Sequence, residues 1–242
     1  MERRTLLSIL LYAALNVMSN SAQNKPADLS EHCFEISNDR KIAIEQVTTT
    51  PETFLRLHPN VDAAINGPYI GGKDQKNYRT QGIAYIAEGH QLADGDLRYI
   101  RGYFTVSKSG RQIQVSETLD GTGTLDQKLR NYWVVIGTHP LLVVDGKIHN
   151  QATEDRYEKN SIEPFVHRSA IGIREGKACF VVSEDKLTMK KWAERLQNKG
   201  YKGALNLNGD TYSQMAERND GKVKVMGKGK ANTRLIIYDI VQ

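Results

Sequence analysis

Runs of alternating or wholly apolar residues, each ended by a turn dipeptide, recur along most of this chain. Cys33-Phe34-Glu35-Ile36 and Lys41 to Val47 flank Asn38-Asp39. Tyr99 to Ser107 and Arg111 to Ser116 flank Ser109-Gly110, and Leu141 to Val144 meets Lys147-Ile148 across Asp145-Gly146. Ser169 to Ile173 and Ala178 to Ser183 enclose a tight turn at 174–177. Each pair has the signature of an antiparallel hairpin. Val223 to Met226, Leu235 to Val241 and the short Gly203 to Leu207 add strands, the last of them expected to be buried.

Helical patterns are few. Thr50-Pro51-Glu52 opens one, with threonine as cap and proline at the first helical position, running to Leu57. Leu125 to Tyr132 is a second. Thr188 to Asn198 is the clearest, placing Met189, Trp192, Ala193 and Leu196 on one face before Gly200 stops it. Strands dominate and helices do not alternate with them. The expected fold is α+β: a single domain over residues 27–242, a hairpin-rich and mostly antiparallel sheet packed with a few helices.

The N-terminus has a different pattern. Glu2-Arg3-Arg4 precedes an apolar run from Leu6 to Met18, interrupted by Ser8 and Asn16, and small polar residues follow at 19–21. That order is a secretory signal peptide over residues 1–22, and the run is short of the about 20 residues a bilayer span needs. The expectation is a secreted or periplasmic protein with no stable membrane span after cleavage, an uncleaved anchor being the alternative.

Composition adds little: 39% hydrophobic and 25% charged residues describe an ordinary folded domain. The net charge is +5, and removing residues 1–22 takes away two arginines and one glutamate to leave +4. A mild excess of this kind suits an anionic substrate or wall polymer. No basic stripe interleaved with aromatics points to nucleic acid. Cys33 and Cys179 are open to two readings, a disulfide permitted by export or a buried thiol at Cys179. No metal-spaced His or Cys group and no cofactor motif is present. The charged segment Glu154 to Lys159 reads as a solvated loop.

Chemistry concentrates after the 188–198 helix. The strand at 203–207 ends in Asn208-Gly209-Asp210-Thr211, which places polar side chains on a rigid support; the same residues also make an ordinary Asn-Gly turn. Four segments together resemble the phosphodiester glycosidase family. Arg168-Ser169-Ala170-Ile171-Gly172 is similar to its R-T-A-I-G, and Ala204 to Ser213 to its A-x-N-L-D-G-G-G-S. Ala64-Ile65-Asn66-Gly67-Pro68-Tyr69 is similar to I-N-G-G-F-F, and Gly137 to Val143 with Asp145-Gly146 to its G-P-x-L-V…D-G segment. Thr233-Arg234 and the last strand fit the family's usual ending.

The resemblance implies cleavage of the glycosidic bond of a sugar-1-phosphodiester in a glycan. Such a site needs a carboxylate near the anomeric carbon and cationic or N–H donors around the departing phosphate. Asp210 is the expected carboxylate, Arg168 a bidentate fork, and His139 a donor near neutral pH. Asn66, Asn206, Asn208, Thr138 and Ser213 are expected to contact substrate. The sequence departs from the family where the acid of its N-L-D-G motif becomes Asn208 and the glycine run becomes Asp210-Thr211-Tyr212. Three readings follow: a hydrolase whose carboxylate is Asp210 is the first, and a non-catalytic binder of sugar phosphate is the second. A structural envelope protein is the third.

Overall fold

A computed structural model describes residues 29–37, 39–68, 70–71, 79–80, 83–86, 90–93, 100–153 and 165–241. The expected signal segment and the 154–159 loop lie outside these residues. In chain order come β1 (Leu29–Phe34), β2 (Arg40–Thr49), α1 (Pro51–Leu57) and β3 (Val61–Asn66). Short strands follow: β4 (Ile70–Gly71), β5 (Arg79–Thr80), β6 (Ile83–Ile86) and β7 (His90–Ala93). Next are β8 (Gly102–Ser107), β9 (Ile113–Ser116), α2 (Leu125–Leu129), β10 (Tyr132–Thr138), β11 (Leu141–Val144) and β12 (Lys147–Ile148). The last third carries β13 (Ser169–Arg174), β14 (Lys177–Ser183), α3 (Met189–Asn198), β15 (Gly203–Asn206), β16 (Gln214–Asn219), β17 (Lys222–Gly227) and β18 (Thr233–Val241).

The strands form a six-stranded sheet, β1-β14-β13-β15-β11-β12, and two five-stranded sheets, β7-β6-β10-β8-β9 and β17-β16-β3-β18-β2, with β4 and β5 paired apart. Every pairing among the described residues is antiparallel. The expected α+β class, dominated by antiparallel strands, is the one observed. The inner faces of the three large sheets share one core. Ile171, Phe180 and Leu205 enter from the first, Phe104, Val134 and Ile136 from the second, and Ile42, Ile65 and Ile237 from the third.

Each helix covers an outer face. Trp192, Ala193 and Leu196 of α3 pack on Ala170, Val181 and Ala204 of the six-stranded sheet. Phe54 and Leu55 of α1 pack on Ala64 and Ile236, and Leu129 of α2 joins the cluster containing Val135. Strands buried on both faces read as unbroken apolar runs, as 178–182 does. Among the described residues no helix is long and apolar enough to cross a membrane.

Local chemistry starts the helices where expected. The Thr50 and Thr188 hydroxyls accept from the Thr53 and Lys191 amides, both at 3.2 Å. Thr124 and Gln127 make a reciprocal capping box. Two expectations are corrected. The segments around Asn38-Asp39 are not a hairpin: β1 pairs with β14 and β2 with β18. The chain does turn at Ser37, whose amide donates to the Arg40 carbonyl at 2.9 Å. Phe34 and Ile42 nevertheless reach the shared core from different sheets. The second helix ends at Leu129 rather than Tyr132, because Tyr132 to Thr138 is needed as β10, with Val134, Val135 and Ile136 fully buried. The open question of the cysteines is resolved as a Cys33–Cys179 disulfide, joining residues directly opposite on β1 and β14.

Candidate functional site

The segment after β15 is held by backbone hydrogen bonds to three other strand ends. The Asn206 amide donates to the Pro140 carbonyl at 3.1 Å, and the Leu207 amide to Ser169 at 2.9 Å. The Asn208 amide donates to Gly67 at 3.2 Å, and the Asp210 amide to His167 at 2.7 Å. All four sequence landmarks therefore meet at one place.

Two side chains reinforce the junction. Asn66 Nδ2 donates to the Asn208 carbonyl at 2.8 Å, and the Ser169 hydroxyl donates to the same oxygen at 2.5 Å. Asn66 Oδ1 accepts from the Gln214 amide at 3.3 Å. The expected substrate contact at Asn66 thus has its amide committed to the protein, where it clamps the turn.

The strand register decides which way the polar residues face. Ala170 lies opposite Asn206 across β13 and β15, and Ala170 and Ala204 belong to the cluster under α3. Alternation carries Arg168 and Asn208 to that same face. Arg168 is 8% exposed and its Nε donates to the Leu187 carbonyl at 3.0 Å, so the cation is fixed rather than solvated.

Beyond Asn208 the pairing slips by one residue. Asp210, not Gly209, donates to His167, and Asp210 adopts φ 55° at the start of a 3-10 turn, Asp210–Tyr212. An extra residue of this kind re-aims the side chain that follows, and aspartate tolerates the left-handed region better than most residues. Gly209 permits the slip, since a Cβ there would sit 3.0 Å from the His167 carbonyl oxygen. Asp210 is half-buried.

Four buried polar atoms around this turn have no hydrogen-bond partner among the described residues: Thr138 Oγ1, Asn206 Oδ1, Asn208 Nδ2 and Ser213 Oγ. Their residues are at most 4% exposed. Buried polar atoms are almost always paired; these four exceptions fall on the segments that meet here, and others lie elsewhere, at Glu31, Trp133, Trp192 and Tyr201. His139, half-buried, precedes a cis Pro140 in the link from β10 to β11 and so sits beside the end of β15.

The sequence reading missed Ser169 as a clamp and His167, whose Nδ1 is also buried without a partner among the described residues. Both adjoin Arg168 in the motif, which was the available signal. Among the described residues no group of three or more His, Cys, Asp or Glu side chains has the arrangement of a metal site.

The family model for phosphodiester glycosidase matches residues 59–236. No curated protein matches the chain. The zebrafish N-acetylglucosamine-1-phosphodiester alpha-N-acetylglucosaminidase catalytic domain, auto-inhibited by its pro-peptide, superposes with a TM-score of 0.61 at 15% identity, over 91% of this chain and 85% of that one. A hypothetical protein from Synechocystis gives 0.54 at 14% identity and covers 88% of this chain. The chain spans 59% of that second protein's length. At such identities the likeness to solved structures is one of fold. The match from residue 59 to 236, well over half the chain, shows that this protein belongs to the phosphodiester glycosidase family.

Proposed function

We propose that the protein is an exported hydrolase, secreted or periplasmic, that cleaves the glycosidic bond of a sugar-1-phosphodiester in a glycan. The observation that carries this reading is that, among the described residues, buried polar atoms of Thr138, Asn206, Asn208 and Ser213 lack partners on the segments that meet beside the turn containing Asp210. These neutral groups suit sugar hydroxyls, which both donate and accept.

In the reaction the C1–O bond breaks and its electron pair leaves with the phosphate oxygen. Positive charge develops at C1, and the Asp210 carboxylate stabilises it. The oxygen of a water ends on C1, and its proton departs through Asp210, leaving a free sugar and a phosphomonoester. A phosphate is an acidic leaving group, with a second pKa of about 6, and so needs less protonation than an alkoxide. It needs fixed positive charge instead, which the anchored Arg168 supplies, with N–H donation from Asn208 and His139. Asn66 holds the turn that carries these groups.

The test offers residues 23–242 a panel of sugar-1-phosphodiesters, including a nucleotide sugar, and follows free sugar. Release is expected, with Asp210→Asn lowering it on the order of 10^3-fold, the scale of a lost acid–base group. The amide at position 208, where the family has an acid, favours one second reading, a sugar-phosphate binder. Binding without release from any member of the panel would establish that reading and remove the first.

A further inference from the structure

We propose that β17 and the turn after it form a track for a linear polyanion, so that the site takes one phosphodiester within a polymer rather than an isolated sugar phosphate. The identity of the scissile bond rests on the hydrolase reading above; the track is read from charge and position. The stretch KVKVMGKGK places Lys222, Lys224, Lys228 and Lys230 in sequence, and all four are exposed. β17 is an edge strand, paired on one side only with β16.

One end of this basic run is built onto the candidate site. The Lys230 and Ala231 amides donate to the Thr211 carbonyl at 2.8 and 3.0 Å, and the Gly229 amide donates to Ser213 at 2.8 Å. Thr211 and Ser213 belong to the turn that presents Asp210. The other end opens into a groove of about 580 Å³ lined by Arg56, Arg218, Gly221, Lys222 and Val223, with no acidic residue in its wall. Arg218 is fixed there by the Leu55, His58 and Val61 carbonyls. Glu217 lies 3.5 Å from Lys224 and Glu184 lies 3.9 Å from Lys228. At the groove Glu52 lies 2.9 Å from Arg56, so these three carboxylates offset three of the six named cations and the run stays net positive.

Distance selects the polymer. Eight residue steps of about 3.3 Å separate Lys222 from Lys230, at most about 26 Å of extended chain. At physiological salt, exposed charges act over about 8 Å. A small sugar phosphate held at Asp210 therefore does not feel the groove, and its cations contribute only to a ligand long enough to reach them. Regularly spaced phosphodiesters along one chain satisfy both ends at once, as multivalent contacts do.

The experiment measures binding of a synthetic poly(glycerol phosphate) chain, with glycerol 3-phosphate as the short control. Three proteins are compared: the parent, Lys222→Glu/Lys224→Glu, and Lys108→Glu/Arg111→Glu, which makes an equal charge change at exposed positions between β8 and β9. The parent is expected to bind the polymer more tightly than the short control and to lose affinity steeply with salt. The β17 pair is expected to weaken polymer binding by about tenfold or more, as loss of several phosphate contacts does, while the control pair retains it. Equal losses in the two variants would reduce the effect to net charge and overturn the track. A β17 variant that binds like the parent, or a parent that ignores the polymer, would do the same. Free sugar from a small diester is measured alongside. Its absence together with β17-dependent polymer binding removes the hydrolase reading and leaves the track.

Discussion

At the scale of single residues, the site is assembled by hydrogen bonds to the Asn208 carbonyl. Ser169 is fully buried, and its hydroxyl is one of the two side-chain donors to that oxygen. Ser169→Ala leaves a buried carbonyl with one donor fewer and is expected to cost about 1–2 kcal/mol, whereas Ser169→Thr retains the hydroxyl. Denaturant unfolding of the two variants checks the difference. Tyr201 makes a different prediction. Burial pushes its phenol well above the ordinary tyrosine value, with Glu31 adding to the effect and Arg174 opposing it. The folded state keeps the proton that the unfolded chain loses near pH 10, so this contribution is intact below about pH 10 and is lost as pH rises through it. Tyr103 and Tyr238 are raised by burial in the same direction, so Tyr201→Phe is expected to remove only part of the alkaline loss. The Tyr201 hydroxyl has no partner among the described residues, and stability at neutral pH should change by less than about 1 kcal/mol. Unfolding free energies from pH 7 to 11 test both statements.

At the scale of elements, β1 is the instructive case. It is the edge of the six-stranded sheet and is attached by several bonds besides its ladder. The disulfide ties it to β14, Glu31 pairs with Arg174, the Ser30 hydroxyl donates to Glu184 at 2.8 Å, and His32 lies 3.0 Å from Asp239 of the neighbouring sheet. A cross-link over 146 residues restricts the unfolded chain strongly. The double variant Cys33→Ser/Cys179→Ser is expected to lose roughly 2–5 kcal/mol, with hydrogen exchange rising first in β1. α1 shows an element completed by tertiary contact: seven residues long, it is too short to be stable alone. The Arg218 side chain caps its C-terminal end by donating to the Leu55 and His58 carbonyls.

At the scale of the molecule, three sheets meet around one core, and the candidate site lies where ends of β3, β10, β13 and β15 approach. Gly67 makes that approach possible. Its amide donates to the Leu235 carbonyl at 2.8 Å, and a Cβ on it would lie 2.6 Å from Leu235 Cβ and 2.8 Å from that oxygen. Gly67→Ala must separate β3 from β18 and is expected to cost about 1–3 kcal/mol. Because the Asn208 amide also donates to Gly67, sugar release should fall in the same variant. Thermal melting and the diester assay measure the two effects.

Local chemistry determined much of this in the sequence alone. Caps at Thr50 and Thr188, glycine turns such as Asp145-Gly146, and the unbroken apolar run along 178–182 depend on neighbours within a few residues. Those starts, turns and strands are therefore legible in one dimension, as are the family motifs and the α+β class. Other features depend on residues far apart in the chain. The Asn38-Asp39 segment reads as a hairpin, yet β1 and β2 separate into different sheets, β1 pairing with β14 and β2 with β18, both distant in sequence. The role of Asn66 was equally hidden: an amide side chain reads as a substrate contact until the Asn208 carbonyl, 142 residues away, is placed 2.8 Å from it. Asp210 was visible as a carboxylate, but its direction comes from a one-residue slip against His167, fixed only when β13 and β15 are side by side. Sequence set the chemical groups and their local backbone. The tertiary structure decided which groups stabilise the fold and which are left for a ligand, because that division depends on long-range hydrogen bonding.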